Sequence, residues 1–445
     1  MSGEIDLSRP VIVGFGVVGR AVARALIDRG FVPVVTEDRP TDSMVAQADE
    51  LGVEVVPEPS AERLGELVST ASVLLPSPGV PDHHPCFALA QAAGVGVRSE
   101  FDLARTWDDR PLVSITGTNG KTTVTMMVTD ALNASGKVAA AVGNTEVPLI
   151  AAIDDPAVEL FVVEASSFRL GHSDRFSPDV ATWINFAPDH LDAHASAEAY
   201  ELAKASIWAH LGPSAVVVAN ADDPVVMRHV PSGADVVLFS MTDPEAEWHL
   251  ADGALVGPDG PLLRVSELLR SQPHDLANAL AVAATASAGG AEPTAVAEVI
   301  RSFAGLPHRL ELVGEWDGVS WYNDSKATVP QAAEVAIAGF ESVVLIAGGR
   351  NKGLSLEGLR ATVPPVRHVV AIGDAAAEIR QVFEGLVPVG QAFDMAEAID
   401  AAAKAARAGD VVLLSPGCTS FDWYPNYVER GLDFCRLVRE RVGPA

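Results

Sequence analysis

Residues Val113 to Thr123 read VSITGTNGKTT, a short apolar run rich in β-branched residues that ends in a glycine-rich loop and a Lys-Thr-Thr step. Strand, glycine loop and helix start in that order wrap backbone N–H groups around phosphate oxygens. The loop departs from the standard Walker sequence, because Gly117 stands three residues before Gly120 where that sequence has five. The physics is retained. Gly117 and Gly120 free the backbone, Lys121 can reach the β and γ phosphates, and the Thr122 hydroxyl can ligate Mg2+. ATP is the expected guest. A plain strand-to-helix turn with an exposed lysine leaves the fit of all seven loop residues unexplained.

Upstream, GFGVVG at Gly14 to Gly19 follows another apolar run, with Glu37 and Asp38 about 20 residues further on. Alone, this pattern suggests a nicotinamide dehydrogenase, or merely tight strand-helix packing. Nothing near it looks like a hydride-transfer site. Outward from both loops the chain alternates β-branched runs with amphipathic helices. The runs include Leu160 to Ser166, Val180 to Phe186 and Ala215 to Asn220; after Gly305 to Arg309 a third alternation contains VVLIAGG, HVVAIGD and DVVLLSPG. The reading is three α/β units in series with parallel sheets.

Acidic residues outnumber basic ones 59 to 31, for a formal charge of -28. With no basic stripe to override that balance, nucleic acid is excluded as a partner. Three widely spaced cysteines without CxxC spacing predict neither a disulfide frame nor a zinc knuckle, and fit a reducing cytoplasm. No apolar run is long enough to span a bilayer, and MSGEIDLSRP lacks the features of a signal peptide, so a soluble protein without membrane contact is expected.

Several polar clusters end strand-like runs. VVEASSF places Glu164 where an unpaired carboxylate is costly; a Mg2+ ion, or an ion pair to Lys121 or Arg169, could compensate it. INFAPDHLDAH carries His190 and His194 four apart, but zinc partners are absent and the neighbouring ligands are hard oxygens. YELAKASIW puts Lys204 in a helix one turn after Tyr200. In the last unit NDSKAT, GGRNKG and SPGCTSFDWYPNYVERG each follow a strand, the position where parallel sheets bind ligands. Cys418 has no evident histidine partner and reads as a small buried residue.

Together these stretches resemble the Mur ligases of peptidoglycan synthesis, in the branch that adds glutamate. The resemblance rests on SPGV at Ser77 to Val80, GTNGKTT, GN at Gly143 to Asn144, EASSF, DH at Asp189 to His190, the Lys204 helix, GLPHR, NDSKAT, LLSPGCTSFD and the closing ERG. It implies three domains: a Rossmann-like UDP-binding domain at 1–104, a central P-loop ATPase-type parallel sheet at 105–305, and a Rossmann-like amino-acid-binding domain at 306–445. It implies a monomer acting on UDP-N-acetylmuramoyl-L-alanine and D-glutamate. A related Mur-type or folylpolyglutamate-type ligase with another acceptor or L-glutamate is the neighbouring possibility.

By the same resemblance Val17, Val18, Glu37, Asp38, Arg39, Ser77, Pro78 and Gly79 surround the uridine diphosphate, and Asn144 and His190 contact the acceptor. Gly117, Thr118, Asn119, Gly120, Lys121, Thr122 and Thr123 cradle ATP, with Asn278 and Asp324 at its nucleoside and Arg309 and Lys326 at phosphates. Thr122 and Glu164 hold one Mg2+; His190 and a carbamylated Lys204 hold a second. Thr328, Lys352, Ser420, Phe421 and Tyr427 surround the glutamate. Lys121, His190 and Lys204 are the implied catalytic groups. The sequence departs from the family at Asp275 after His274, at GNTE, and at WYPNY.

Overall fold

The computed structural model describes residues 5–145, 147–188, 194, 196–351 and 354–442. The chain divides into two compact units, Met1–Phe303 and Ala304–Ala445. The first holds two sheets and the second holds one.

The N-terminal sheet is parallel throughout, with Pro10–Val13 between Val34–Glu37 and Val73–Pro76, and Glu54–Pro57 and Gly96–Val97 at its edges. Chain order reverses at Pro10–Val13. Ligand crevices form at such a reversal, outside the carboxyl ends of the strands, and the glycine loop Gly14 to Gly19 emerges there.

In the nine-stranded second sheet, Leu112–Thr116 lies between Val180–Trp183 and Leu160–Glu164. All five of its residues are buried, as expected for a strand covered on both faces. It feeds the helix Lys121–Ala134, whose buried Val124, Met127, Val128, Ala131 and Leu132 recur at i, i+3, i+4, i+7 and i+8. That stripe shares a core with the helix Pro273–Ala288. The parallel part of the sheet ends at Trp248–Ala251, where Ala254–Gly257 and Gly260–Arg264 add an antiparallel meander absent from the sequence reading.

The second unit's sheet runs Glu311–Trp316, Val319–Asn323, Val411–Leu414, Val343–Gly348, Val366–Ile372, Val389–Gln391, and only its first strand is antiparallel. Adjacent strands therefore deliver NDSKAT, SPGCTS and GGR to one sheet edge. Each unit is thus a mixed α/β body with parallel-dominated sheets, as the sequence indicated.

Candidate active site

The phosphate loop is built around Gly120, which begins its helix at φ +82°. A Cβ there would sit 2.4 Å from Asn278 Oδ1, so the glycine is required both by conformation and by the close approach of Asn278. Asn185, which the sequence reading passed over, braces the loop: its Oδ1 accepts the N–H groups of Thr118 and Asn119, both at 2.9 Å, and its Nδ2 donates to Asn119 O at 3.0 Å. Its signal was its place at the end of the run Val180 to Phe186. The helix-start N–H groups of the Lys121–Ala134 helix remain as the anion-facing end.

Two lysines converge on the loop. Lys121 Nζ donates to the carbonyls of Gly117 at 3.0 Å and Thr118 at 2.8 Å. Lys204, 1% exposed, comes from the helix Ala197–Ala205 and donates to Gly117 O at 2.6 Å with its Nζ over the Tyr200 ring. Tyr200 in turn lies 3.3 Å from the Thr118 hydroxyl. Residues 87 apart in sequence thus meet at one carbonyl.

Glu164 ends the strand beside Leu112–Thr116 and is buried. Its Oε1 accepts from Asn144 Nδ2 at 2.9 Å, while Oε2 is buried with no hydrogen-bond partner among the described residues. The arginine considered as its ion-pair partner turns elsewhere: Arg169 Nε donates to Glu100 at 2.9 Å and Nη1 to Asn144 Oδ1 at 2.9 Å. A buried carboxylate oxygen without a donor is costly and suits a hard cation. With the Thr122 hydroxyl at the adjacent loop, the donor set fits Mg2+. No trio of His, Cys, Asp or Glu clusters as a metal site among the described residues.

His190 and Lys352 lie outside the described residues, as does Asp189. His194 is fully engaged: Nδ1 lies 3.0 Å from Asp82 Oδ2, Nε2 lies 2.9 Å from Ser167 Oγ, and its ring stacks on Phe168. Neither ring nitrogen is left for a metal, and His194 links Asp82, in the loop after Gly79, to Ser167.

The N-terminal glycine loop opens on a cavity of about 810 Å3 lined by Gly14, Val17, Val18, Glu37, Asp38, Arg39, Ser77, Pro78, Gly79 and Arg169, among others. All eight sequence-nominated residues of this domain line it. The Glu37 carboxylate accepts the N–H of Phe15 at 2.7 Å and of Arg39 at 2.9 Å, and so holds the loop as well as facing the cavity. Ser77 Oγ donates to Gly14 O at 2.8 Å, tying the two loops together.

Asp275 caps its own helix. It accepts from Gln272 N at 3.3 Å and Arg270 Nε at 3.0 Å, and with Thr123, Asn278 and Arg270 it lines one cleft beside the phosphate loop.

In the second unit Asp324 is buried, accepts from Ser415 Oγ at 2.7 Å and Leu310 N at 3.3 Å, and has its carboxyl pushed up to about 6 by burial. Arg309 lies close enough to lower it in part. Lys326 Nζ sits over the Tyr427 ring, and Gly417 N bonds Ala327 O at 2.9 Å, linking NDSKAT to SPGCTS. Arg430 clamps both loops, donating to Ser325 Oγ, Ser325 O and Cys418 O at 2.9, 2.8 and 3.1 Å. Ser420 is buried and Phe421 is exposed. Burial raises the Cys418 thiol to about 12, which makes it inert as a nucleophile.

Two phosphate-type glycine loops at switch points, a buried strand-end carboxylate beside one of them and a separate α/β unit with polar strand-end loops define a nucleotide-dependent enzyme of three α/β domains. Three family models match the chain: Mur ligase MurD-like, N-terminal domain, over residues 8–99; Mur ligase middle domain over 115–286; and Mur ligase, glutamate ligase domain, over 308–418. The chain belongs to the Mur ligase family and is of the MurD type. The UDP-N-acetylmuramoylalanine–D-glutamate ligase of Frankia casuarinae is 39% identical over 97% of this chain and 94% of its own, and that of Salinibacter ruber 38% over 98% of each. Among solved structures, the UDP-N-acetylmuramate-alanine ligase MurC of Thermotoga maritima has a TM-score of 0.54 at 19% identity, covering 97% of this chain and 99% of that one. At that identity the likeness concerns the fold alone. No helix among the described residues is long and apolar enough to cross a membrane.

Proposed function

We propose that this chain joins D-glutamate to UDP-N-acetylmuramoyl-L-alanine at the expense of ATP, in peptidoglycan precursor synthesis. Relatives carrying that name match nearly its whole length. The observation that carries the chemical reading is the unpartnered Glu164 Oε2 next to GTNGKTT.

A carboxylate is a poor acylating agent. Its oxygen attacks the γ-phosphorus of ATP, the bond to the β-bridging oxygen breaks, and ADP leaves. The amine of glutamate then attacks the acyl phosphate, and phosphate departs as the amide forms and a proton is lost from nitrogen. Attack of one anion on another needs charge neutralisation by fixed groups. Lys121 and the helix-start N–H groups hold the phosphates. Glu164 and Thr122 would hold one Mg2+, with Lys204, in carbamylated form, and His190 holding a second; Mg2+ supplies charge neutralisation on the phosphates and the acceptor carboxylate. Asn278 and Asp324 serve the nucleoside, and Arg309 and Lys326 the phosphates. Thr328, Lys352, Ser420, Phe421 and Tyr427 take the amino acid, and the cavity around Glu37 and Ser77 the uridine diphosphate.

A substrate panel tests the reading. With ATP and Mg2+, a mass increase of one glutamyl residue is expected on UDP-N-acetylmuramoyl-L-alanine with D-glutamate and not with L-glutamate. Equal use of L-glutamate, or a preference for a different acceptor, would contradict it.

A further inference from the structure

Glu100 and Arg169 form an ion pair almost sealed from water, their side chains 1% and 5% exposed. Burying both charges is costly, and such a pair is weak grounds for stability alone. Its geometry offers another role. Arg169 is held at Nε by Glu100 Oε1, and Glu100 is fixed in turn by the N–H of Ile150 at 3.1 Å on Oε2. The arginine then spends Nη1 on Asn144 Oδ1 at 2.9 Å.

A guanidinium can only donate. The amide oxygen of Asn144 must therefore face Arg169, and its Nδ2 must face Glu164, to which it donates at 2.9 Å. The flipped amide would set NH2 against guanidinium and oxygen against carboxylate, two repulsive contacts. One Glu164 oxygen is thus occupied and the other, Oε2, is presented unpartnered. The backbone reinforces the alignment, since Asn144 N bonds Glu164 O at 2.8 Å.

We infer that Arg169, anchored by Glu100, is a positioning residue that fixes the amide orientation of Asn144 and so presents one oxygen of Glu164 to the divalent cation accompanying the nucleotide. The inference rests on the ligase reading of the site and extends it to the buried Glu100–Arg169 pair.

The test uses the full chain, Mn2+ as the probe and a non-hydrolysable ATP analogue, with free Mn2+ followed by its electron paramagnetic resonance signal. Arg169→Gln removes the cation. Arg169→Lys keeps a cation beside Glu100 without the planar fork that reaches Asn144, and guards against a variant that does not fold. Both are expected to bind Mn2+ about 10-fold more weakly or worse, as when a group orienting a metal ligand is lost. Affinity for the analogue in EDTA stays as in the wild type. A folded Arg169→Lys protein with wild-type Mn2+ affinity would overturn the inference, as would a fall in melting temperature alone. Failure of the wild-type chain to bind Mn2+ with the analogue would overturn the ligase reading as well, so the two failures are distinguishable.

Discussion

Lys204 Nζ donates to the carbonyl oxygen of Gly117 at 2.6 Å, although the lysine is almost completely buried and reaches the phosphate loop from a helix 87 residues further along the chain. A solvated charge would not be placed there. Lys204→Ala would remove one of the two lysine donors to the Gly117 carbonyl and leave Lys121 as the other, costing about 0.5–1.5 kcal/mol of stability. Under the ligase reading it would also lower turnover by about 100-fold or more, the scale of removing one fixed electrostatic group. Steady-state ADP release and thermal melting measure the two effects. Partial recovery with added short carboxylates is expected if a carbamate stands on Lys204, and wild-type turnover in the variant would remove it from the mechanism.

Gly120→Ala meets two penalties at once: φ is +82°, and the new methyl would lie 2.4 Å from Asn278 Oδ1. Left-handed backbone alone costs an L-residue about 1–2 kcal/mol. The variant should remain folded, with a lower melting temperature and nucleotide affinity reduced by about 10-fold or more, since the helix-start N–H groups would be displaced. Isothermal titration with ATP reads this directly.

The Asp324 carboxyl is pushed up to about 6 from 3.8, chiefly by burial. A raised carboxyl binds a proton more tightly when folded, so its contribution to stability is complete below about 3.8 and is lost as pH rises through about 6. Asp324→Asn cannot lose that proton. The stability of the wild type relative to Asp324→Asn should therefore fall between pH 4 and pH 7, by no more than about 3 kcal/mol. Denaturant titrations of both proteins across that range check the sign; a flat difference would show that Asp324 titrates normally.

Arg430 is buried and, among the described residues, donates to neutral acceptors, the hydroxyl and carbonyl of Ser325 and the carbonyl of Cys418, and burial lowers its guanidinium to about 10. Arg430→Met would release NDSKAT from SPGCTS. Leaving those acceptors unpaired costs on the order of 2–4 kcal/mol. The KM for glutamate should rise more than the KM for the UDP-sugar, because the clamp lies wholly within the second unit. Equal changes in both would point to general unfolding.

The parts of this molecule legible in sequence are those dictated by local physics. Buried β-branched runs announced the strands, and the glycines before Lys121 and at Gly14 to Gly19 announced the two strand-to-helix loops. The antiparallel meander ending at Arg264 was hidden because short two-sided strands have no distinct period from the loops around them. Asn185 and the Glu100–Arg169–Asn144 chain were equally hidden, since their roles come from contacts 20 to 69 residues apart that no spacing displays. Asp275 also closes a helix-capping box with Gln272, a role its place in the sequence did not show. The spacing of His190 and His194 offered no zinc partners, and the bridge that the His194 ring makes between Asp82 and Ser167 is a long-range contact no spacing displays.

The central claim is that ATP activates a carboxyl group by phosphorylating it. Acceptor labelled with 18O in its terminal carboxylate tests this most directly: one labelled oxygen should leave with each inorganic phosphate formed, and only when D-glutamate is present to release it. Unlabelled phosphate accompanying amide formation would contradict the claim.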